Sequence, residues 1–228
     1  MGVPQGSILS VTLFGLKINS IVKAISPGVE CSLYVDDFLI WYRSQHVHII
    51  EHHLQQYLNK LADWADRHQW IQVLSLICIH FCKLRKPHPE AILLLNSTPV
   101  PVVEETKFLG VVFDCKLSFI PHMKHLKDKC TRALNLLRVL AHTFWGADQE
   151  NLFRSLIRSK LDYGCIVYGS ARGSYLRMLH PTQNHALRLC LSAYRTSPAS
   201  SLCVEANEPF LYCKRKKTVT PVLPKIKL

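Results

Sequence analysis

No uninterrupted apolar run in this 228-residue chain reaches the roughly 18 residues that a membrane span requires, because Lys, Asp, His or Arg breaks every stretch. A soluble chain with no membrane partner is therefore expected. The start, MGVPQGSILSVTLF, lacks a basic segment ahead of its apolar residues and a small-residue cleavage pattern after them, so it does not read as a secretory signal. A myristoylation start fails as well, since Gly6 stands where Ser or Thr is required. Acidic residues run short in one half only. Residues 1–120 hold ten Lys+Arg and ten Asp+Glu, whereas 121–228 hold 18 basic against 6 acidic residues, so all of the +12 formal net charge lies in the second half. A face of that kind attracts polyanions, of which nucleic acid is the commonest in cytosol and nucleus. A solvated surface, together with the Lys214–Lys217 run KRKK as a disordered tail or localisation signal, is the alternative.

Nine cysteines without a secretory signal, an odd number scattered from Cys31 to Cys213, fit reduced thiols and an intracellular setting, cytoplasmic or nuclear. Cys78-Ile79-His80-Phe81-Cys82 alternates with period two, which in a strand would place three ligating atoms on one face. It lacks the fourth ligand and the paired knuckle of a zinc site, so it reads as buried strand thiols.

The 48% hydrophobic content suffices for a core, in one large domain or two small ones. Ser7 is placed to cap a helix over about 8–25, with Leu9, Leu13, Leu16 and Ile21 near helical spacing. The β-prone run Cys31–Tyr42 has two carboxylates at its centre and reads as a hairpin turning there. Val47, Ile50, Leu54, Tyr57, Leu61 and Ala65 predict a helix from 47 to about 70. Strands are expected near 71–82, 91–95 and 107–114. Beyond Pro121, which suits the first turn of a helix, Met123, Leu126, Cys130, Leu134, Leu137 and Ala141 form an apolar stripe. Lys124, Lys127, Lys129 and Arg132 lie mostly off it. A helix from Asp148 to Tyr163 stops at Gly164, and a third, near 174–193, is compromised by Pro181 in its interior. The first half is thus α+β and the second helical, with a boundary near 118–121.

Tyr34-Val35-Asp36-Asp37 carries the clearest chemistry. Two adjacent carboxylates flanked by Leu33, Phe38, Leu39 and Ile40 are costly to desolvate unless a cation meets them, and hard oxygen donors suit Mg²⁺. A plain turn with both side chains in water is the alternative. In the first segment, a Gly-Pro loop running into a helix start exposes backbone N–H groups and the positive dipole end, a setting for phosphate or base contact to which Gln5 adds an amide.

With GVPQGSILS at 2–10, YVDD at 34–37 and KFLGVVFD at 107–114, in that order and spacing, the chain resembles reverse transcriptases of non-LTR retrotransposons, the jockey-like group above all. SLIRSKLDYGCIVYGSA at 155–171 is similar to the helical thumb region of the same group. The resemblance implies an α+β fold in which a partial polymerase palm with an antiparallel sheet (1–118) precedes an all-helical thumb (119–212) and a disordered basic tail (213–228). It implies that Gly2, Pro4, Gln5, Gly6 and Ser7 contact template and nucleotide, and that Asp36 and Asp37 are catalytic ligands of Mg²⁺ or Mn²⁺. It makes Lys107, Phe108, Leu109 and Gly110 the primer grip, with Lys124, Lys127, Lys129 and Arg132 on the nucleic-acid backbone. The implied partners are an RNA template, a DNA primer and nucleoside triphosphates. The implied reaction is template-directed DNA synthesis by two-metal nucleotidyl transfer.

Departures from the family pattern accompany it. A further metal-binding aspartate and the fingers are expected upstream of the GVPQGS loop, within the same polyprotein, so the 228 residues are expected to be inactive alone. Leu74-Ser75-Leu76 stands where Ser-Lys-Thr is usual, removing a lysine that assists the triphosphate. Loss of part of the palm is expected to leave a bare sheet edge and uncovered apolar surface. Two rivals stand beside this reading. One is a non-catalytic nucleic-acid-binding remnant carried by the basic helices. The other is a zinc metallopeptidase, because His48-Ile49-Ile50-Glu51-His52 fits H-x-x-E-H.

Overall fold

The computed structural model describes residues 6–24, 28–35, 37–68, 76–84, 89–141 and 149–211. By packing, the chain divides into two compact units, 1–104 and 105–228. That division precedes the 118–121 boundary read from composition, because the hairpin of residues 105–114 packs with the helix that follows it.

In the first unit, α1 (Ile8–Ile18) runs into a 3₁₀ turn, Asn19–Ala24. The strands β1 (Glu30–Tyr34) and β2 (Asp37–Trp41) follow, then α2 (Val47–His68), β3 (Leu94–Leu95) and β4 (Thr98–Pro99). α2 is the organiser, as its periodicity predicts. Tyr57, Leu58, Leu61, Trp64 and Ala65 are buried against Ile18, Ile21 and Leu93. Each buried leucine or isoleucine among them contributes about 1.5–3 kcal/mol relative to exposure. Polar residues on the same helix fasten the 92–94 segment by standing in for a neighbouring strand. Glu51 Oε1 accepts from Ile92 N at 2.8 Å, and Gln55 both accepts from Leu94 N and donates to Leu94 O at 2.8 Å.

Four expectations need correction in this unit. The α1 stripe does not pack as a whole: Ile21 is buried, but Leu9, Leu13 and Leu16 are exposed, together with Val11. Ser7 holds the N-cap backbone position without a side-chain capping bond. The 71–82 strand reduces, among the described residues, to one parallel bridge between Cys78 and Val102. The strand at 91–95 shortens to β3, turned into β4 by Asn96 and Ser97, both at positive φ. Leu74 and Ser75 lie outside the described residues.

The second unit opens with β5 (Glu105–Phe108) and β6 (Val111–Asp114), a hairpin where a single strand is expected over 107–114. α3 (Ile120–Ala141) follows with Pro121 in its first turn, and Met123, Leu126, Cys130, Leu134 and Leu137 are buried. Asp114 starts this helix. Its carboxylate accepts from Ser118 N at 3.0 Å and Phe119 N at 2.7 Å, pinning a connector in which Leu117 and Phe119 both adopt positive φ.

α4 (Gln149–Phe153) continues through a π turn, Arg154–Arg158, into α5 (Ser159–Asp162). Asp148 lies outside the described residues. α6 (Cys165–Tyr168), α7 (Gly173–Leu176), a 3₁₀ turn at Arg177–Leu179, α8 (His180–Cys190) and α9 (Ala199–Glu205) complete the unit. Pro181 is not in a helix interior. It sits in the first turn of α8, where its missing N–H has no helical partner to lose.

Across the described residues the chain is α+β, its strands forming three separate two-stranded antiparallel sheets. No helix among them is long and apolar enough to cross a membrane.

Candidate functional site

The β1–β2 hairpin pairs Tyr34 with Asp37, Leu33 with Phe38 and Cys31 with Ile40, and Val35 follows β1 at its tip. Pleating sends Leu33, Phe38 and Ile40 to the face packed on the first unit's core, where the Phe38 ring meets Tyr57 at a centroid separation of 6.2 Å. Tyr34 and Asp37 share the opposite, exposed face. Val35 takes φ +56°, a left-handed conformation that costs a β-branched residue of order 1–3 kcal/mol and persists only where its surroundings impose it. A strained tip on an anchored hairpin holds Asp37 at the surface. Asp36 lies outside the described residues.

At the β5–β6 turn Leu109 and Gly110 have φ of +45° and +78°, the pattern of a type I′ hairpin turn, which glycine tolerates and leucine resists. Leu109 is held there from outside the hairpin, its carbonyl accepting from the Tyr163 hydroxyl at 2.7 Å. A Cβ on Gly110 would lie 3.1 Å from the Tyr163 ring. Both the turn and this neighbour thus require glycine, an explanation that needs no approaching ligand. Lys107 is exposed, while Phe108, Leu109 and Gly110 are half-buried.

The next residue closes the clasp. Gly164 has φ +69°, and a Cβ there would come within 2.9 Å of Val111 Cγ2. Gly164→Ala should therefore cost about 2 kcal/mol, from left-handed strain plus the displaced valine, measurable as a lowered urea midpoint. A loss below about 0.5 kcal/mol would mean that the hairpin is not seated on this turn.

Gly2, Pro4 and Gln5 lie outside the described residues. Gly6, at φ +89°, and Ser7 are exposed just ahead of α1. Lys124, Lys127, Lys129 and Arg132 are all exposed on α3, but they spread around it instead of forming one row. Lys129 alone of the four lines a cavity of about 360 Å³, with Gly110, His122, His125, Leu126, Ser159, Lys160 and Tyr163. His122, His125, Lys160 and Tyr163 escape sequence reasoning, because residues about 40 positions apart meet only after folding; the single local signal was the spacing of His125 and Lys129, one helical turn apart.

The metal patterns named from sequence find no partner set. Among the described residues no group of three His, Cys, Asp or Glu could hold a metal ion. Glu51 is engaged by Ile92 N, and His48 and His52 are exposed, with His52 Nε2 3.0 Å from Gln56 Nε2. Burial, then the nearby Glu90 charge, raises the Cys78 thiol pKa, which keeps it protonated and a poor ligand.

Residues 1–113 match the family model described as reverse transcriptase, an RNA-dependent DNA polymerase. Through these residues the chain belongs to the reverse transcriptase family. It is similar to a probable RNA-directed DNA polymerase from transposon X-element of Drosophila melanogaster, with 28% identity over 82% of this chain and 21% of that protein. It is also similar to the RNA-directed DNA polymerase from mobile element jockey of the same species, at 25% over 82% of this chain and 21% of that protein. A Pol polyprotein from retrotransposable element R1 of Bradysia coprophila is 24% identical over 97% of this chain and 24% of its own length. The chain thus spans about a fifth of the curated relatives' length. No solved structure matches it. The reverse transcriptase match takes in the 2–10 loop, the YVDD hairpin and nearly all of the β5–β6 hairpin, whereas α3 and the Tyr163–Gly164 clasp lie beyond it.

Proposed function

We propose that residues 1–118 are the later part of a jockey-like reverse-transcriptase palm and 119–212 a helical thumb, with 213–228 a basic tail. The observation that carries this reading is the β1–β2 hairpin, a motif of the matched family whose anchored strands present Asp37 outward beside a strained turn. In it Asp36 and Asp37 supply carboxylates to Mg²⁺ or Mn²⁺, hard ions that take oxygen donors. The described donors do not complete a metal site, since no third His, Cys, Asp or Glu joins Asp37 among the described residues. The remaining ligand is expected from upstream palm sequence of the same polyprotein, along with the fingers.

The other roles follow the same reading. Gly2, Pro4, Gln5, Gly6 and Ser7 face template and incoming triphosphate at the helix start, where backbone N–H groups are free to donate. Lys107, Phe108, Leu109 and Gly110 hold the end of the DNA primer. Lys124, Lys127, Lys129 and Arg132, none of them ion-paired among the described residues, meet the backbone of the RNA–DNA duplex. Free thiols at Cys31, Cys78, Cys82, Cys115 and Cys130 suit a reducing compartment, cytoplasmic or nuclear.

The 228-residue chain should bind a DNA primer annealed to RNA and fail to extend it with Mg²⁺ and all four nucleotides, because two-metal transfer needs a fuller carboxylate set. Extension that Asp36→Asn abolishes would overturn the claim of inactivity. Binding without extension is also what a non-catalytic remnant would show, and the unpaired α3 cations favour that second reading of the isolated chain. Adding upstream palm sequence separates the two, since activity returns only in the first.

A further inference from the structure

The cavity beside the Leu109–Gly110 turn has the chemistry of a filled site. His122 is 3% exposed and its Nδ1 accepts from Val112 N at 3.2 Å, so the neutral ring carries its proton on Nε2. That Nε2 is buried without a hydrogen-bond partner, and so is His125 Nε2. A stranded donor of this kind is desolvated without compensation, which an acceptor entering the cavity would relieve. Lys129, one helical turn after His125, and Lys160, from α5, bring two cations to the same space; the Lys160 ammonium gives one of its three protons to Leu156 O at 2.6 Å, and the Ser159 hydroxyl is already committed to Ser155 O. Among the described residues no carboxylate lines it. Burial, helped by His125 and Lys129, pushes the His122 pKa down to about 4, so at neutral pH the ring is an uncharged N–H donor.

Donors from several directions, two positive charges and no acid suit a tetrahedral anion better than a planar or neutral ligand. The cavity also abuts the turn to which the primer-gripping role is given. We infer that this cavity seats a backbone phosphodiester of the strand held at the β5–β6 turn, bound by His122 Nε2 with Lys129 and Lys160. The inference rests on the primer-gripping reading of residues 107–110 and adds to it a phosphate seat built from two helices outside the matched family segment.

The test uses the whole 228-residue chain. Imidazole NMR signals of His122 and His125 should shift on titration with inorganic phosphate and, separately, with a DNA primer annealed to RNA. In Lys129→Gln/Lys160→Gln, checked for an unchanged melting curve, both shifts should vanish. Primer–template affinity read by fluorescence anisotropy should fall about tenfold, with the salt slope reduced by one to two. Lys116→Gln/Arg138→Gln makes the same charge change at exposed residues away from the cavity and should leave the imidazole shifts intact. Signals that do not move with either probe, or move with phosphate alone, overturn the proposal. Lys107→Gln distinguishes it from the reading beneath it. If that change weakens binding while the cavity variant does not, the phosphate seat is wrong and the grip stands. If only the cavity variant weakens binding, the grip is wrong and the seat stands.

Discussion

Glu208→Ala should lower the stability of the second unit by about 3–5 kcal/mol, a large share of what a domain of this size possesses. Glu208 is 8% exposed and accepts from Arg154 Nε at 2.7 Å, with Arg158 Nε 3.9 Å away. Arg158 is 3% exposed and rests on Glu208, on Asp162 at 3.2 Å and on the Pro209 carbonyl at 3.2 Å, with its Nη2 already lacking a partner. Removing Glu208 would leave this guanidinium in a dry site with the half-buried Asp162 as its remaining carboxylate partner. Glu150, in contrast, pairs with Arg154 at 3.3 Å across one exposed helical turn, so Glu150→Ala should cost only about 0.3–0.5 kcal/mol. Urea denaturation of the two variants decides the matter. Equal losses would mean that water reaches Arg158. Arg158→Met/Glu208→Leu should recover most of the deficit, since a buried pair exchanged for apolar side chains is often neutral.

Acid should begin to destabilise the same unit above the pH range in which carboxylates titrate. The His122 pKa lies at about 4 in the folded chain against 6.5 when exposed, chiefly from burial and then from His125 and Lys129. The unfolded chain therefore binds the extra proton between those values. Stability is whole above about pH 6.5 and is lost as pH falls toward 4, by up to about 3 kcal/mol for this group. Asp114 acts lower on the scale. Burial alone would raise its pKa, but bonds from Ser118 and Phe119 outweigh that and hold it below the ordinary carboxylate value. Its contribution is present above the usual carboxylate range and drains away as pH drops through the lowered one. Urea midpoints at pH 7.5, 5.5 and 4.5 should show the decline, and His122→Asn, whose Oδ1 can still accept from Val112 N, should flatten its upper part. An unflattened slope would assign the acid sensitivity to other groups.

What could be read from sequence follows the range of the forces involved. α2 and α3 were legible because one periodic stripe meets one core. The β1–β2 hairpin was legible because apolar alternation brackets two turn-prone carboxylates. The β5–β6 hairpin read as one strand, since Leu109 is a poor turn residue and its positive φ is imposed by Tyr163, 54 positions away. α1 was the opposite failure, a good helical pattern whose Leu9, Leu13 and Leu16 find nothing to cover them among the described residues. Pro181 misled because a residue hostile to a helix interior is welcome in a first turn. The adjacent carboxylates of the YVDD segment were nameable from four letters, whereas the cavity at His122 is assembled from α3, α5 and a turn, and no local pattern announces it.

The clasp also sets an order of events during synthesis. β5 and β6 leave the ribosome before Tyr163 and Gly164 exist, and Leu109 has no hydroxyl to hold its unfavourable backbone until 54 more residues are made. At about 5–20 residues per second the nascent hairpin waits roughly 3–10 s with its turn unsupported and its strand edges open. A stop codon or frameshift between 115 and 162 would therefore release a protein whose YVDD hairpin is encoded in full but whose β5–β6 turn can never close.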